Sequence, residues 1–445
     1  MQAFRVTLVD TPSLGALRIR RDHVIELDSH GVITSILPAS LAPHLDQATS
    51  LGTAFLLPPF ADLHLHSPQY LNAGMGLDLP LMEWLDTYTY PAEERVDSDP
   101  ELAKRLYTRL VERLIEAGTG AVLFFGTVGL AANLELARAC QEAGIRGFVG
   151  KLSMDMSPRP TYGESSLAEA LTNTTAFLDS MEALTSTFPP HERLVQPVLT
   201  PRFVPVCSDE LLSSLGRLAK ERNLMIQSHM CESRDQMAWV QLTRGRADED
   251  VFDGAGLLTP HTVQAHVTAL SRDLVDLVKE RGVTVAHCPL SNAYFSDAAF
   301  PLREALDAGV KVGLGSDIAG GYALPIQVAM RNAVLVARLR EGARREGSSQ
   351  PGKEEEGNLH VDWKESLYLA TAGGRDALGL AGTFKVGAPF DAQQITLVQD
   401  GPVGSLDIFD LGDDEKWWHE AVERWWCVGD DRNRTGMWVQ GRKVR

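Results

Sequence analysis

The chain has 445 residues, a net charge of −17, and hydrophobic and charged fractions of 44% and 23%, ordinary values for a globular protein and unlike those of disordered chains. Its acidity is a handicap for binding phosphate backbones, and no run approaches the roughly 20 apolar residues that cross a bilayer. The N-terminus lacks a secretion signal and five scattered cysteines suit neither a disulfide framework nor a thiolate zinc knuckle, so a soluble, cytoplasmic protein without nucleic-acid or membrane partners is expected.

Residues 1–53 hold short β-like runs (FRVTLV, LRIRRDHVIELD, GVITSIL) broken by turn residues. From about residue 54 short apolar runs alternate with helical patterns: AFLLPPFADLHLH, GAVLFFGTV, IRGFVGKLSM, RLVQPVLTP, LMIQSH, HTVQAH, VTVAHCP and VKVGLGSD. The stretches between them, such as ELAKRLYTRLVERLIEAG and LSRDLVDLVKERG, repeat apolar residues at three- and four-residue spacing. Gly118, Gly144, Gly282 and Gly309 stand where those helices should stop. Strand–helix alternation means a parallel sheet. Eight such strands, with no Gly-rich phosphate loop after Leu57, predict an α/β fold: a (β/α)8 barrel over residues 54–381. Within it, 341–360 (EGARREGSSQPGKEEEGNLH) reads as a polar surface loop. Residues 382–445 return to β-like runs (GTFKVGAPFDAQQITLV, GMWVQGRKV). Neither end holds a core alone, so 1–53 and 382–445 are expected to join as one small β-sandwich domain.

Chemistry concentrates at the strand ends. His64 and His66 close the first barrel strand, where positions i and i+2 point to one side of the sheet. A His-x-His triplet arises by chance about 0.3 times in such a chain, so alone it decides little. His229, His266, His287 and Asp317, however, end the fifth to eighth strands at the rim where barrel active sites lie. Each alone is more often a structural residue; together they point to a divalent metal, and three imidazoles with one carboxylate suit Zn²⁺. A two-metal barrel hydrolase commonly bridges its ions with a lysine ending the fourth strand, but here that strand ends Leu199-Thr200-Pro201-Arg202, which predicts a single ion. Zinc brings the pKa of water from about 15.7 towards neutrality, making a nucleophile for an amide, ester or amidine-like ring carbon.

Glu232, three residues after His229, either carries protons at this rim or is an acidic residue favoured at a helix N-terminus. Gln69, three residues after His66, offers an amide donor and acceptor, and Arg202 with Phe203 offers a donor fork and a stacking face. Together they suit a flat, neutral, hydrogen-bonding ring; singly, each fits a surface Gln, a salt-bridged Arg or a core Phe equally well.

The segments PPFADLHLHSPQYLNAGMGLDLPLMEWLDTYTYPAE, LTPRF, QSHMCES, TVQAHVTALS, AHCPLSNAYF, KVGLGSDIAGG and VGDDRN, spanning residues 58–433, resemble the amidohydrolase superfamily and, within it, the members that deaminate guanine. HSPQY with GLDLPLMEWL carries the finer likeness. The resemblance implies one Zn²⁺ per subunit held by His64, His66, His229 and Asp317, in a cytoplasmic homodimer that converts guanine and water to xanthine and ammonia. It implies that His266 orients the attacking water and Asp317 takes its proton. Glu232 would protonate the ring nitrogen beside the attacked carbon and help the amine leave. Substrate contacts would come from His66, Ser67, Pro68 and Gln69, from Arg202 and Phe203, and from His229, Glu232 and Asp317. His287 would bond the substrate or only shape the rim. The chain departs from the pattern at Cys231, where a small residue such as Ser is common, at the 341–360 insertion and at PFDAQQI.

Two other readings stand beside this one. The same chemistry on a triazine, an oxidised purine or a pterin needs only a changed side chain or two around Gln69 and Arg202. A non-catalytic scaffold would show lost ligands, whereas all are present here. Deaminases built on His-x-Glu with Pro-Cys-x-x-Cys are excluded, because Cys288-Pro289 has no second cysteine in reach.

Overall fold

The computed structural model describes residues 2–296, 298–347, 358–399, 401 and 404–445. The N-terminal runs form β1 (Gln2–Asp10), β2 (Arg18–Leu27), β3 (Ile33–Pro38) and β4 (Thr49–Leu57). The eight apolar runs that follow supply β5 (Phe60–His66), β6 (Thr119–Phe125), β7 (Arg146–Ser153), β8 (Val195–Pro201), β9 (Met225–Met230), β10 (Thr262–His266), β11 (Thr284–His287) and β12 (Lys311–Leu314). Near the C-terminus lie β13 (Ala392–Thr396), β14 (Arg434–Val439) and β15 (Arg442–Lys443).

β5 to β12 pair in sequence order as one parallel sheet. The sheet closes past its last strand: Asp317 N–H donates to His64 O (2.8 Å) and His66 N–H to Ile318 O (3.0 Å). Every residue of β5, β6 and β7 is buried, which is why these strands read as nearly unbroken apolar runs. The helices cover the outside by their periodic faces. In Pro100–Glu116 the Asp99 side chain accepts from Leu102 N–H, Pro100 takes the first position, and Leu102, Leu106, Leu110 and Leu114 turn inward. Gly118 follows with φ +79°, and a Cβ there would lie 2.2 Å from Arg434 Nε. Gly144, Gly282 and Gly309 also sit at positive φ after their helices, as expected.

The run AFLLPPFADLHLH is two strands. Pro58 and Pro59 have no N–H for a ladder, so β4 passes to the second sheet and β5 starts the barrel. That second sheet is mixed, in the order β15-β14-β13-β4-β1-β2-β3, and unites both chain ends. It is one sheet bent over its own core: a bridge joins Val32 to Pro389, and Phe390 N–H donates to Gly31 O (2.8 Å). Val6, Leu8, Ile25, Leu56, Phe390 and Trp438 fill the fold.

Two segments differ from expectation. Residues 341–347 continue the helix Ile326–Gly347, because Glu341 pairs with Arg344 and Arg345 at helical spacing and also accepts Leu359 N–H (3.0 Å). Of the loop expected over 341–360, residues 348–357 lie outside the described residues. The β-like reading of 382–445 overlooked the helix Glu415–Val428, capped by Asp414, whose Trp425 packs against Phe55 and Phe60. Among the described residues no helix is long and apolar enough to cross a membrane.

Asp391, just before β13, fastens the two sheets together. It takes Arg146 Nε from β7 at 2.7 Å, Arg375, and Gln440 N–H at 2.7 Å. Burial opposes its charge, but Arg146 and Arg375 outweigh burial and hold the carboxyl well below the carboxylate range. Replacing it by Asn should cost about 3–5 kcal/mol, the usual result of breaking a buried pair from one side. A depressed folded pKa gives stability that is present above the unfolded value near ~3.9 and lost as pH falls through the folded one. Denaturant midpoints against pH check both points: the Asn variant should start lower and lose less on acidification.

Candidate active site

The carboxyl ends of β5, β9, β10 and the segment after β12 bring four imidazoles and a carboxylate together. His64 Nε2 lies 3.1 Å from Asp317 Oδ1, His66 Nε2 lies 3.7 Å from the same oxygen, and His66 Nε2 lies 3.0 Å from His229 Nε2. Among the described residues, the groups with metal-ligating spacing are His64–His66–His229 and His64–His266–Asp317, the atoms of each within 4.8 Å of one another. Phe125, the last residue of β6, packs its ring against His64, His66 and His229 at 4.6–4.7 Å. Burial pushes the pKa of His64, His66 and His229 down, which favours neutral rings with lone pairs. Burial opposes the charge on Asp317 as well, yet the surrounding imidazoles hold its carboxyl well below the usual range. His229 donates Nδ1–H to Arg202 O (2.7 Å), leaving its Nε2 lone pair facing the cluster, and the buried His64 Nε2 faces Asp317 Oδ1. Neutral imidazoles and an ionised carboxylate converging this closely fit a borderline-soft divalent cation.

The supports beneath these groups are buried polar side chains. Asp62 accepts His64 N–H (3.1 Å), Ser316 N–H (3.0 Å) and Ser316 Oγ–H (2.5 Å), tying β5 to the end of β12; burial pushes its pKa up to about 7. His266 donates Nδ1–H to Asn292 Oδ1 (2.9 Å). Its Nε2 lies between Glu232 Oε1 (3.7 Å) and Asp317 Oδ2 (3.8 Å). Cys231, His266, Val267 and Asp317 have φ between 48° and 72°, a left-handed region costly for non-glycine residues. Strain thus gathers at the strand ends that carry the cluster.

Glu232 precedes its helix instead of starting it. Ser233 caps Arg234–Arg244 by accepting Gln236 N–H, so Glu232 stands on the turn, its own N–H donated to Gln236 Oε1 (3.0 Å). This position is outside the first helical turn, where a dipole would favour an acid. Asp248 braces the turn from below through Cys231 N–H (2.8 Å) and Gln236 Nε2 (3.1 Å). Burial raises the pKa of Glu232, which favours its protonated form.

A cavity of about 460 Å³ opens above the cluster. His66, Gln69, Arg202, Phe203, His229, Glu232 and Asp317 line it, and Trp84, Tyr90, Trp239 and Phe295 give it aromatic walls. Gln69 and Arg202 are not free side chains: Gln69 Nε2 donates to Glu93 Oε1 (2.9 Å), and Arg202 pairs with both Glu93 oxygens (2.6 and 3.1 Å). Ser67 and Pro68, expected at the substrate with their neighbours, are not among the lining residues. Ser67 donates both N–H and Oγ–H to Phe125 O, at 2.8 and 3.1 Å, and Pro68 opens the short helical turn Pro68–Asn72. Both shape the backbone that presents His66 and Gln69. His287 lies outside this cavity, buried against Phe300 with ring centroids 5.1 Å apart, its pKa pushed down to about 3 by burial.

Glu93, Asn292, Asp62 and Asp248 were not found by sequence reasoning. Glu93 ends the segment PPFADLHLHSPQYLNAGMGLDLPLMEWLDTYTYPAE, but the π-helical turn Leu85–Thr89 breaks the helical phase that would have marked it as inward-facing. Asn292 lies within AHCPLSNAYF, where the histidine drew the eye instead.

The model of the amidohydrolase family matches residues 55–444. The chain is 36% identical over 458 residues to guanine deaminase of Mus musculus, covering 99% of this chain and 96% of that protein. It is 32% identical over 468 residues to guanine deaminase of Dictyostelium discoideum, covering 100% and 98%. Among solved structures, a guanine deaminase from C. acetobutylicum with guanine bound in its active site superposes with a TM-score of 0.87 at 28% identity, covering 100% of both chains.

Proposed function

This chain belongs to the amidohydrolase family, and from that premise we propose that it removes the amino group of guanine by hydrolysis, giving xanthine and ammonia. The observation that carries the reading is one cavity. It holds a candidate metal cluster at its base, a carboxyl group biased towards its protonated form beside it, and an amide–guanidinium edge in its wall. Full-length likeness to guanine deaminases supports the choice of ring. The resemblance further supports a single zinc ion per subunit, held by His64, His66, His229 and Asp317, in a cytoplasmic homodimer.

When bound, zinc supplies a nucleophile at neutral pH by acidifying water. Asp317, ionised among the imidazoles, takes a proton from the attacking water, and His266 orients that water from the sixth strand. Glu232 enters protonated and delivers its proton to the ring nitrogen beside the amino-bearing carbon. The proton held at Asp317 passes to the leaving amino group, and the proton of the new hydroxyl returns to Glu232 as the carbonyl forms, so guanine and water become xanthine and ammonia with no change of oxidation state. Phe203 packs against the ring, while Gln69 and Arg202 bond its polar edge.

Ring choice is tested by kcat/KM across guanine, an aminotriazine, 8-oxoguanine and a pterin. A wall built to hydrogen-bond a substrate's polar groups rejects rings lacking them by about 10⁴–10⁵. Guanine should lead by a margin of that order over the triazine. Preference for another ring, with guanine untouched, would replace the substrate and leave the metal chemistry standing.

A further inference from the structure

Glu93 has no solvent exposure and does not itself line the cavity; it lies behind the wall and bonds two polar residues that do, Gln69 and Arg202. Its two oxygens take Arg202 Nη1 at 2.6 Å, Arg202 Nη2 at 3.1 Å and Gln69 Nε2 at 2.9 Å. Gln69 Oε1 in turn accepts Ala319 N–H at 3.1 Å. These bonds allow the Gln69 amide one orientation: flipped, its oxygen would face the Glu93 carboxylate and its amide nitrogen would face the Ala319 N–H. Arg202 gives Glu93 two of its N–H groups, and the Tyr90 ring stacks 5.0 Å from the guanidinium carbon. Burial opposes the Arg202 charge, but Glu93 more than offsets it. Both side chains still line the cavity, each with N–H donors that Glu93 does not take.

An ion pair buried this deeply is weak evidence for stability, because desolvation of both charges offsets most of their attraction. Its placement matters more. Resting on guanine as the substrate, we propose that Glu93 is a positioning residue that sets ring specificity: it holds Gln69 and Arg202 so that their remaining N–H donors meet the exocyclic carbonyl oxygen of the substrate. The site therefore selects an amino-oxo ring over the same ring without its oxygen.

The experiment measures kcat and KM for guanine and for 2-aminopurine, which lacks that oxygen, on wild type, Glu93→Gln and Glu93→Asp. Where a ring is not turned over, its inhibition constant is read instead, and metal content and thermal unfolding are followed in parallel. In Glu93→Gln, a displacement of the donors by about 1 Å should cost roughly 10²-fold on guanine. The 2-aminopurine value should move by less than about tenfold, because the displaced donors have no carbonyl oxygen to lose. The preference for guanine then collapses at unchanged metal content. Glu93→Asp keeps the charge but shortens the reach, and should fall between the two. Equal losses on both rings, or an unchanged ratio in either folded variant, would overturn the proposal. Failure of both variants to fold would assign Glu93 to stability and overturn it too. Guanine left untouched by the wild type would instead defeat the parent reading.

Discussion

Glu232→Gln should keep its metal and its fold and lose deamination by a factor of about 10²–10⁴, the usual contribution of a positioned proton donor. Gln has nearly the same shape but no carboxylic proton to give to a ring nitrogen. The Glu232 side chain borders the cavity 3.7 Å from His266 Nε2 and stands on a turn braced by Asp248 and Gln236, so the substitution disturbs no ligand bond. Stability should move the other way. An acid whose folded pKa is raised destabilises the fold as pH rises through the window above its unfolded value. The neutral Gln removes that cost, so the variant should unfold no lower than wild type at neutral pH. Metal analysis, melting temperature and guanine turnover on one preparation check the three statements together. An active variant would remove Glu232 from the chemistry.

Asp317→Asn should strike the cluster itself. The carboxylate faces His64 at 3.1 Å, His66 at 3.7 Å and His266 at 3.8 Å. An amide of the same shape carries no charge and turns a donor towards rings that hold lone pairs. Loss of an outer partner of a ligand costs about 10–100-fold in metal affinity. Loss of the carboxylate itself should exceed that, with turnover falling to background. Competition against a coloured chelator measures the affinity. Wild-type affinity in Asp317→Asn would mean that the metal is held without it.

How far the sequence reached depended on what each element buries. The barrel was legible because a parallel strand covered on both faces must be apolar throughout, as in β5, β6 and β7. His64 and His66 were legible because alternation along a strand puts i and i+2 on one side. Glu93 was not: its importance comes from a pair with Arg202, 109 positions away, and no local pattern encodes that. Asp62 and Ser316, 254 positions apart, escaped for the same reason. Ser67 lies in the same motif, and its hydroxyl donates to Phe125 O, a contact that no local pattern encodes. In Glu415–Val428 four tryptophans imitate a strand by composition, while Trp418, Val422 and Trp425 recur on one helical face and are buried.

Guanine hydrolysis in this one cavity is tested on the protein itself. The direct measurement is a time course of purified, zinc-loaded protein with guanine, following guanine, xanthine and ammonia together. One xanthine and one ammonia should appear for each guanine lost, and a chelator should stop the reaction until zinc is restored. Guanine unchanged by protein that carries its metal would rule it out as the substrate of this cavity.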